Sequence, residues 1–322
     1  FPRIEKYRPD TLDCLLSHKE IINTIRRFLD QGKLPHLLFY GPPGTGKTST
    51  ILAVAKQLFS PNEFASMVLE LNASDERGIG VVREQVLTFA STKTLFSGKF
   101  KLVILDEADA MTKDAQNALR RIIEKFTENT RFCLICNYLS KITPAIQSRC
   151  TRFRFSPVDK DQMVDRLTDI AKKECFQLTD DGKIAIYRLS SGDMRKAINL
   201  LQSASMSSHI VDEAVVYACT GYPTPAEMKT VLDWCLNEPL AAAFKNILKM
   251  KAEKGIALQD ILSELHLLIM RVKIPDAVKA DLLVVLAEVE HRMSLGASEK
   301  LQLGALCGAF ARAKHSLEEL DA

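Results

Sequence analysis

Long apolar runs are absent from this sequence: no stretch of about 18 residues is apolar enough to span a bilayer, and no apolar segment resembles the core of a secretory signal. An excess of either charge is absent too, because 43 basic and 40 acidic residues leave a formal net charge of +3. We therefore expect a soluble protein that is not secreted. The mild charge permits a local basic surface without establishing nucleic acid as a partner.

The sequence has little that predicts a disulfide framework or a metal-binding cysteine cluster. Its eight cysteines are scattered, at positions 14, 133, 136, 150, 175, 219, 235 and 307, which favours a reducing compartment in a chain of 322 residues. Cys133 and Cys136 form a C-x-x-C, but they lie in the apolar run FCLIC, where a strand would point them to opposite faces. No second pair lies at zinc-ribbon spacing, so we do not expect zinc there.

What the sequence does contain is a glycine-rich loop between a predicted strand and a predicted helix. The loop GPPGTGKT, residues 41–48, matches the phosphate-binding pattern G-x-x-x-x-G-K-[ST]. The preceding run HLLFY is typical of a buried parallel strand, and the following TSTILAVAKQL has apolar residues at helical spacing. This order predicts a site for ATP.

Each part of the loop has a predicted role. Backbone N–H groups of residues 44–48 can surround the β-phosphate, with the positive end of the helix dipole behind them. Lys47 would place its charge between the β- and γ-phosphates, and Thr48 would offer a hydroxyl to Mg²⁺. The predicted nucleotide-binding residues of this loop are Gly41, Pro42, Pro43, Gly44, Thr45, Gly46, Lys47, Thr48 and Ser49.

Alternating strands and helices surround the loop. Strands are predicted at residues 36–40, 67–71, 101–105, 131–136 and 151–155, with helical periodicity at 79–90 and 112–126. The alternation is typical of a doubly wound α/β domain with a parallel sheet. We place this nucleotide-binding domain at residues 1–157.

The rest of the chain is predicted to be helical. No convincing strand follows Pro157, and helical segments predict a small domain at residues 158–221. Turn signals cluster in GYPTP, residues 221–225, and a second helical domain is predicted at 222–322.

Two adjacent carboxylates end the predicted strand at 101–105. In KLVILDEAD, Asp106 and Glu107 follow the strand, and the carboxyl ends of parallel strands lie beside the phosphate loop. Because neighbouring residues point in different directions, Asp106 is suited to hold Mg²⁺ through its water shell and Glu107 to polarise the attacking water. An acidic turn that opens a helix is the alternative interpretation.

Two further polar residues could reach the γ-phosphate. Asn137 follows the predicted strand at 131–136, which would set its amide near the γ-phosphate and the lytic water. Arg195 lies in the first turn of a helix that Asp193 can cap, and its guanidinium could extend over the phosphate loop. A plain loop asparagine and a solvated helix arginine remain open alternatives at this point.

Taken together, these motifs resemble one family. EKYRP (5–9), GPPGTGKT (41–48), ELNASDERG (70–78), LDEAD (105–109), Asn137, SRC (148–150) and GDMRKA (192–197) resemble the small subunits of the eukaryotic clamp loader, replication factor C, which are AAA+ ATPases. Among those subunits the chain looks most like the class numbered five in animals. The resemblance is dense to about residue 205 and covers the remainder by length and helical character. It implies an AAA+ domain, a helical lid and a helical collar that joins subunits.

The resemblance implies a catalytic pocket shared between subunits. In this family the arginine of the SRC motif, here Arg149, is a finger that acts in trans on the nucleotide of a neighbouring subunit. The residues agree, because Arg149 follows the predicted turn TPAIQ and precedes the last strand, away from residues 41–48. An arginine supplied in trans accelerates hydrolysis by roughly 10³ to 10⁵, so a lone chain should bind ATP yet hydrolyse it poorly. A structural surface arginine is the alternative.

The resemblance also implies contacts with the base, with DNA and with a sliding clamp. Tyr7, Arg8 and Pro9 would pack near the adenine. The loop TKTLFSGKF, residues 92–100, would press Leu95 and Phe96 onto a clamp of the PCNA type, although packing onto the chain's own core is an equal alternative. The helix N-termini near residues 78 and 112 would meet primer–template DNA phosphates through Ile79, Gly80, Arg83, Thr112 and Lys113.

We therefore expect an ATPase subunit of a heteropentameric clamp loader, with ATP and Mg²⁺ as cofactors. It would assemble with other replication factor C subunits in the nucleus, and load a sliding clamp onto DNA during replication and repair. One alternative is a non-catalytic scaffold that donates Arg149 while its own site stays idle, but the presence of a full set of catalytic residue types argues against it. A ring-shaped unfoldase or helicase is less consistent, because NASDERGIGVV lacks the aromatic residue that threads substrate.

Overall fold

The computed structural model describes residues 3–9, 11–12, 18–73, 79–92 and 100–320, with positions 3, 4, 79–83, 319 and 320 described by their backbone alone. The chain divides into two compact units, Phe1–Glu213 and Ala214–Ala322. Our division into three domains, with boundaries after residues 157 and 221, stays a prediction.

A five-stranded parallel sheet forms the centre of the first unit. The strands are β1 (Leu37–Tyr40), β2 (Val68–Asn72), β3 (Lys101–Asp106), β4 (Thr130–Cys136) and β5 (Thr151–Arg154), in the spatial order β2-β3-β4-β1-β5. Each predicted strand is confirmed to within one residue at either end. In the register, Leu38 of β1 lies between Leu134 of β4 and Arg152 of β5.

The sheet is buried on both faces, which is why its strands are continuous apolar runs instead of alternating ones. Phe39 and Cys133 belong to the core on one face, together with Ile51 of the helix after the phosphate loop. Leu38 and Cys136 belong to the core on the other face. The two cysteines of the C-x-x-C therefore point to opposite sides of β4, as a strand requires.

Helices cover both faces and make the fold doubly wound, as predicted. The helices before residue 150 are α1 (Arg3–Lys6), α2 (Lys19–Asp30), α3 (Lys47–Leu58), α4 (Pro61–Met67), α5 (Ile79–Ser91), α6 (Lys113–Phe126) and α7 (Pro144–Gln147). Helices α2 and α3 supply apolar side chains to the core that contains Phe39, and α5 and α6 supply them to the core that contains Leu38.

A small, mainly helical part completes the first unit, and one prediction for it is wrong. Its helices are α8 (Lys160–Lys173), α9 (Asp180–Ser190) and α10 (Met194–Ser207). Two short strands, β6 (Gln177–Leu178) and β7 (Ile210–Val211), pair in parallel, whereas the sequence predicted no strand after Pro157. Two residues are too few to carry a periodic signal, and the pairing depends on residues more than thirty positions apart.

The second unit is helical throughout its described part, as predicted. Helix α11 (Glu213–Thr220) begins at the boundary and is followed by α12 (Pro225–Asn237), α13 (Leu240–Lys254), α14 (Leu258–Ile269), α15 (Asp276–Ser294) and α16 (Glu299–Leu320). Thr224 and Glu227 form a reciprocal capping box at the start of α12. Among the described helices, none combines the length and apolar character that crossing a membrane requires.

Candidate nucleotide-binding and hydrolysis site

A cleft lies where the phosphate loop, the carboxyl ends of β3 and β4, the N-terminal segment and α10 meet. Strands β1 and β4 are neighbours although they are distant in sequence, and this brings the phosphate loop beside the residues that follow β4. Most of the predicted nucleotide-site residues line the cleft: Tyr7, Arg8, Pro9, Pro43, Gly44, Thr45, Gly46, Lys47, Thr48, Ser49, Asp106, Glu107, Asn137 and Arg195. Gly41 and Pro42 do not line the cleft, but their backbone oxygens accept hydrogen bonds from the Lys47 ammonium.

The ammonium of Lys47 is held by three acceptors. It donates to the backbone oxygens of Gly41 at 2.7 Å and Pro42 at 2.8 Å, and to Oδ1 of Asn137 at 3.0 Å. Three bonds satisfy all the donors of a lysine. Burial lowers the pKa of Lys47, and the negative charge of Asp106 opposes that shift. A phosphate would therefore meet a cation already fixed beside the loop.

Thr48 and Asp106 form a hydrogen-bonded pair of oxygen groups in the cleft. The Thr48 hydroxyl donates to Oδ2 of Asp106 at 2.7 Å, and Oδ1 of Asp106 accepts the backbone N–H of Glu107 at 2.9 Å. Hydroxyl and carboxylate oxygens are the donors that Mg²⁺ prefers, so the residues present fit this ion.

Glu107 leaves the strand in an unusual backbone conformation. Its φ of 52° lies in the left-handed region, which is uncommon for a residue other than glycine, asparagine or aspartate. The side chain is exposed and lines the cleft. The turn therefore separates Glu107 from Asp106, which is engaged with Thr48, and leaves the Glu107 carboxylate accessible to a water molecule.

Asn137 lies directly after β4 and connects two parts of the site. Its Oδ1 accepts from Lys47, and its backbone N–H donates to Oδ2 of Asp109 at 3.3 Å. The backbone N–H of Tyr138 donates to the same oxygen at 3.2 Å. Asp109 is thus a polar partner of this loop that the sequence reasoning did not single out.

The N-terminal segment closes one side of the cleft through contacts with α8. The Tyr7 hydroxyl donates to Oε1 of Glu174 at 2.5 Å, and Lys6 donates to the same oxygen at 2.7 Å. Burial and the bond to Glu174 raise the pKa of Tyr7. Arg166 donates to the backbone oxygen of Tyr7 at 2.8 Å. These bonds hold the segment that we predicted to contact the adenine.

Helix α10 contacts the phosphate loop directly. Asp193 caps the helix by accepting the backbone N–H groups of Arg195 and Lys196, as predicted, and the backbone N–H of Met194 donates to the oxygen of Gly44 at 3.1 Å. Gly44 has φ +66°, and a Cβ there would lie 1.7 Å from Oδ1 of Asp193. The absence of a side chain at Gly44 lets the Asp193 carboxylate lie against the loop, and this close approach sets Arg195 at the cleft.

Several predicted site residues lie outside the cleft lining or outside the described side chains. Arg149 does not line the cleft; it donates to the backbone oxygen of Ala145 at 2.5 Å and pairs with Glu124 at 2.5 Å. Thr112 caps α6 by accepting the N–H of Ala115, and Lys113 is exposed beside it. The side chains of Ile79, Gly80 and Arg83, and the segment containing Leu95 and Phe96, lie outside the described residues.

The sequence reasoning missed other residues that line the cleft, namely Glu5, Val158, Arg166, Met194 and Ile198. Met194 and Ile198 flank Arg195 on α10, so the helical period could have indicated them once Arg195 was chosen. Arg166 carries no local signal, because its place depends on how α8 packs against the N-terminal segment.

Comparisons with known proteins agree with this geometry. Residues 37–158 match the ATPase family associated with various cellular activities (AAA), and residues 223–309 match the replication factor C C-terminal domain. Replication factor C subunit 5 of Mus musculus is 59% identical over 309 residues, which cover 96% of this chain and 91% of that protein. Subunit 5 of Homo sapiens is 58% identical over the same coverage. Replication factor C subunit 3 of Schizosaccharomyces pombe is 50% identical, covering 96% and 90%.

A solved structure supports the fold. The RuvB Holliday junction branch migration motor of Thermotoga maritima matches with a TM-score of 0.53, covering 78% of this chain and 86% of that one. At 16% identity this likeness concerns the fold alone.

The AAA match contains the phosphate loop, Asp106, Glu107 and Asn137, and the second match lies in the helical unit. With relatives this similar over nearly their whole length, the resemblance read from the motifs is confirmed. The chain belongs to the replication factor C family of clamp-loader ATPase subunits.

Proposed function

We propose that this chain contributes to two nucleotide sites in a hetero-oligomeric clamp loader. Its own cleft binds and hydrolyses ATP with help from one neighbour, and its Arg149 completes the site of another. The observation that carries this proposal is a separation: Lys47, Asp106 and Glu107 line one cleft, and Arg149 does not.

The residues of the cleft divide the chemistry among them. Lys47 and the backbone N–H groups of the phosphate loop bind the β- and γ-phosphates, and Arg195 reaches the γ-phosphate from α10. Thr48 and Asp106 would hold Mg²⁺, which would neutralise charge on the phosphate oxygens. Glu107 orients and polarises the attacking water, and Asn137 positions its amide beside it.

The contacts of Arg149 support its assignment to a neighbour. It lies two residues after the end of α7, and its guanidinium pairs with Glu124 of α6 instead of approaching the phosphate loop. The side chain is 35% exposed, so a second subunit can reach it. A P-loop site without an arginine finger is slower by roughly 10³ to 10⁵, which makes the assembled complex the active form.

DNA, a sliding clamp and nuclear residence complete the proposal. Thr112 and Lys113 stand at the N-terminus of α6, where free N–H groups and a lysine suit a DNA phosphate. Such contacts ignore base sequence, as suits loading at any primer end. The clamp contact through Leu95 and Phe96 and the DNA contacts of Ile79, Gly80 and Arg83 rest on the family resemblance.

The experiment compares two substitutions in the assembled complex. Glu107→Gln disables this chain's own site, and Arg149→Ala disables the site that Arg149 completes. If the sites are different, each variant removes the part of the complex's ATP turnover that comes from one site. The double variant then removes the turnover of both sites. Arg152→Ala, an exposed arginine on β5, is the matched control and should leave turnover unchanged.

Three outcomes contradict the proposal. A double variant no slower than Glu107→Gln alone would place Arg149 in its own chain's site. Unchanged turnover with Glu107→Gln would favour the alternative, a scaffold subunit whose own site is idle. Hydrolysis at full rate by the isolated chain would exclude a shared pocket.

A further inference from the structure

Asp109 uses one carboxylate oxygen to hold two successive backbone N–H groups. It lies in the 3₁₀ turn Ala108–Ala110 that follows β3, and its Oδ2 accepts from Asn137 at 3.3 Å and from Tyr138 at 3.2 Å. The two donors are the first residues after β4. The contact therefore joins the ends of two adjacent strands beyond the point where the sheet ends.

The sheet itself does not direct Asn137. The pairing of β4 with β3 ends at Leu134, and its pairing with β1 ends at Cys136. Asn137 and Tyr138 are exposed, so water could satisfy their N–H groups if Asp109 were absent. The bonds to Asp109 consequently add little to the stability of the fold, because they replace bonds to water. Their effect is to restrict the direction in which the chain leaves β4.

That direction matters because the Asn137 side chain reaches the phosphate loop. Its Oδ1 accepts from the ammonium of Lys47 at 3.0 Å. A continuous set of bonds thus runs from the turn after β3, through the loop after β4, to the lysine of α3. Burial lowers the pKa of Lys47, and the negative charge of Asp109 is among those that oppose this shift, which places the carboxylate within electrostatic reach of the site.

We propose that Asp109 is a positioning residue for ATP hydrolysis: by holding the N–H groups of Asn137 and Tyr138 it orients the Asn137 amide toward Lys47 and the reacting phosphate. This inference rests on the proposed role of Asn137. It assigns a function to the last acidic residue of LDEAD that is separate from those of Asp106 and Glu107. Asp109 does not line the cleft, and it acts through Asn137.

The test is a double-mutant cycle in the assembled complex, with Asp109→Ala, Asn137→Ala and both together. The kcat of this chain's own site, measured as the part of the complex's turnover that Glu107→Gln removes, should fall by roughly tenfold to a hundredfold in Asp109→Ala, since a small misplacement of a catalytic group has effects of this size. The KM should change by less than about threefold. The double variant should be no slower than Asn137→Ala alone, because Asp109 has nothing to position once the amide is gone.

Two further variants separate positioning from general stability. Asp109→Asn keeps the shape and one acceptor oxygen, so it should recover a substantial part of kcat. If Asp109→Ala does not fold, Asp109→Ser, whose side chain is too short to hold both N–H groups, replaces it in the cycle. Asp169→Ala removes an exposed aspartate of α8 and should leave both kcat and KM unchanged.

The outcomes distinguish the role of Asn137 from that of Asp109. Full activity of Asn137→Ala would overturn the proposed role of Asn137 and this inference with it. A slow Asn137→Ala beside a fully active Asp109→Ala would overturn the inference alone. Losses that add in the double variant would show that Asp109 acts through some other group, which also overturns it.

Discussion

The hydroxyl of Thr48 and the carboxylate of Asp106 are joined by a hydrogen bond of 2.7 Å between the first turn of α3 and the end of β3. Thr48 is 58 positions from Asp106 in the sequence, and both side chains are restrained by this contact. Two oxygen groups are thus brought together by the protein itself. A cation that bound there, as we propose for Mg²⁺, would require little reorganisation of the two side chains.

Thr48→Val tests this pair by removing the hydroxyl while keeping the shape of the side chain. We expect the affinity for Mg²⁺–ATP to fall roughly tenfold, because one ligand is lost and Asp106 loses its donor. The affinity for ATP in EDTA should change little. Titration of a fluorescent ATP analogue with and without Mg²⁺ measures both, and Thr48→Ser should behave as wild type. Equal loss in EDTA would mean that Thr48 supports the loop and not the ion.

Gly44→Ala should disturb the junction between the phosphate loop and α10. The new methyl would meet Asp193 at 1.7 Å and would also occupy a left-handed conformation at φ +66°. We expect ATP affinity to fall at least roughly tenfold, because the Asp193 side chain must move and would then lose its hold on the first turn of α10, which carries Arg195. Isothermal titration of the isolated chain with ATP measures the change.

Gly32→Ala is the matched control for that variant. Gly32 has φ +63°, but a Cβ there meets nothing within 4 Å. This substitution should therefore cost only the left-handed strain, about 1 kcal/mol of unfolding free energy, and leave ATP binding unchanged. Similar losses of ATP affinity in the two variants would show that the approach of Asp193 is unimportant.

His36 should make stability depend on pH below 6.5. Its Nδ1 accepts the backbone N–H of Phe132 at 3.2 Å, and its Nε2 lies 3.4 Å from the Thr127 hydroxyl, which already donates to Ile123. The ring is therefore neutral with its proton on Nε2. The pKa of His36 is lowered from 6.5 to about 4, mainly by burial and to a smaller extent by the positive charge of Arg131.

Because the folded state resists protonation, the unfolded state binds the proton first as pH falls. The free energy of unfolding should decrease as the pH falls from 6.5 to about 4, by up to about 1.4 kcal/mol per pH unit. Above and below that window, His36 should add no further change with pH. Urea unfolding at pH 7, 6 and 5 measures the slope. His36→Gln should flatten it, and His209→Gln, at an exposed position, should not. An unchanged slope in His36→Gln would assign the pH dependence to other groups.

The bond between Tyr7 and Glu174 should affect the base end of the nucleotide and not the phosphates. Glu174→Leu removes the acceptor of both Tyr7 and Lys6, and Tyr7→Phe removes one donor only. We expect ATP affinity to fall roughly tenfold in the first and roughly threefold in the second, as the N-terminal segment loses its restraint.

Inorganic tripolyphosphate is the control ligand for these two variants, because it has the phosphates of ATP and lacks the adenine and the ribose. Its competition with a fluorescent nucleotide should be the same as in wild type. A parallel loss for tripolyphosphate would show that the segment supports the whole cleft and has no particular relation to the base.

The sequence by itself determined the parts of this protein whose signals are local. GPPGTGKT needs only its own glycines and lysine to be identified, and the five strands were predicted to within one residue because a strand buried on both faces is a continuous apolar run. Asp106, Glu107 and Asn137 were placed at the cleft because parallel strands bring their carboxyl ends together.

Tertiary structure alone decided the contacts between distant segments. The pairing of β6 with β7, the bond of Tyr7 to Glu174 and the hold of Asp109 on the loop after β4 each join residues that carry no recognisable pattern. Such contacts depend on packing, which brings together side chains that are tens or hundreds of positions apart. The local sequence specifies which groups are available for chemistry, and the fold specifies which of them meet.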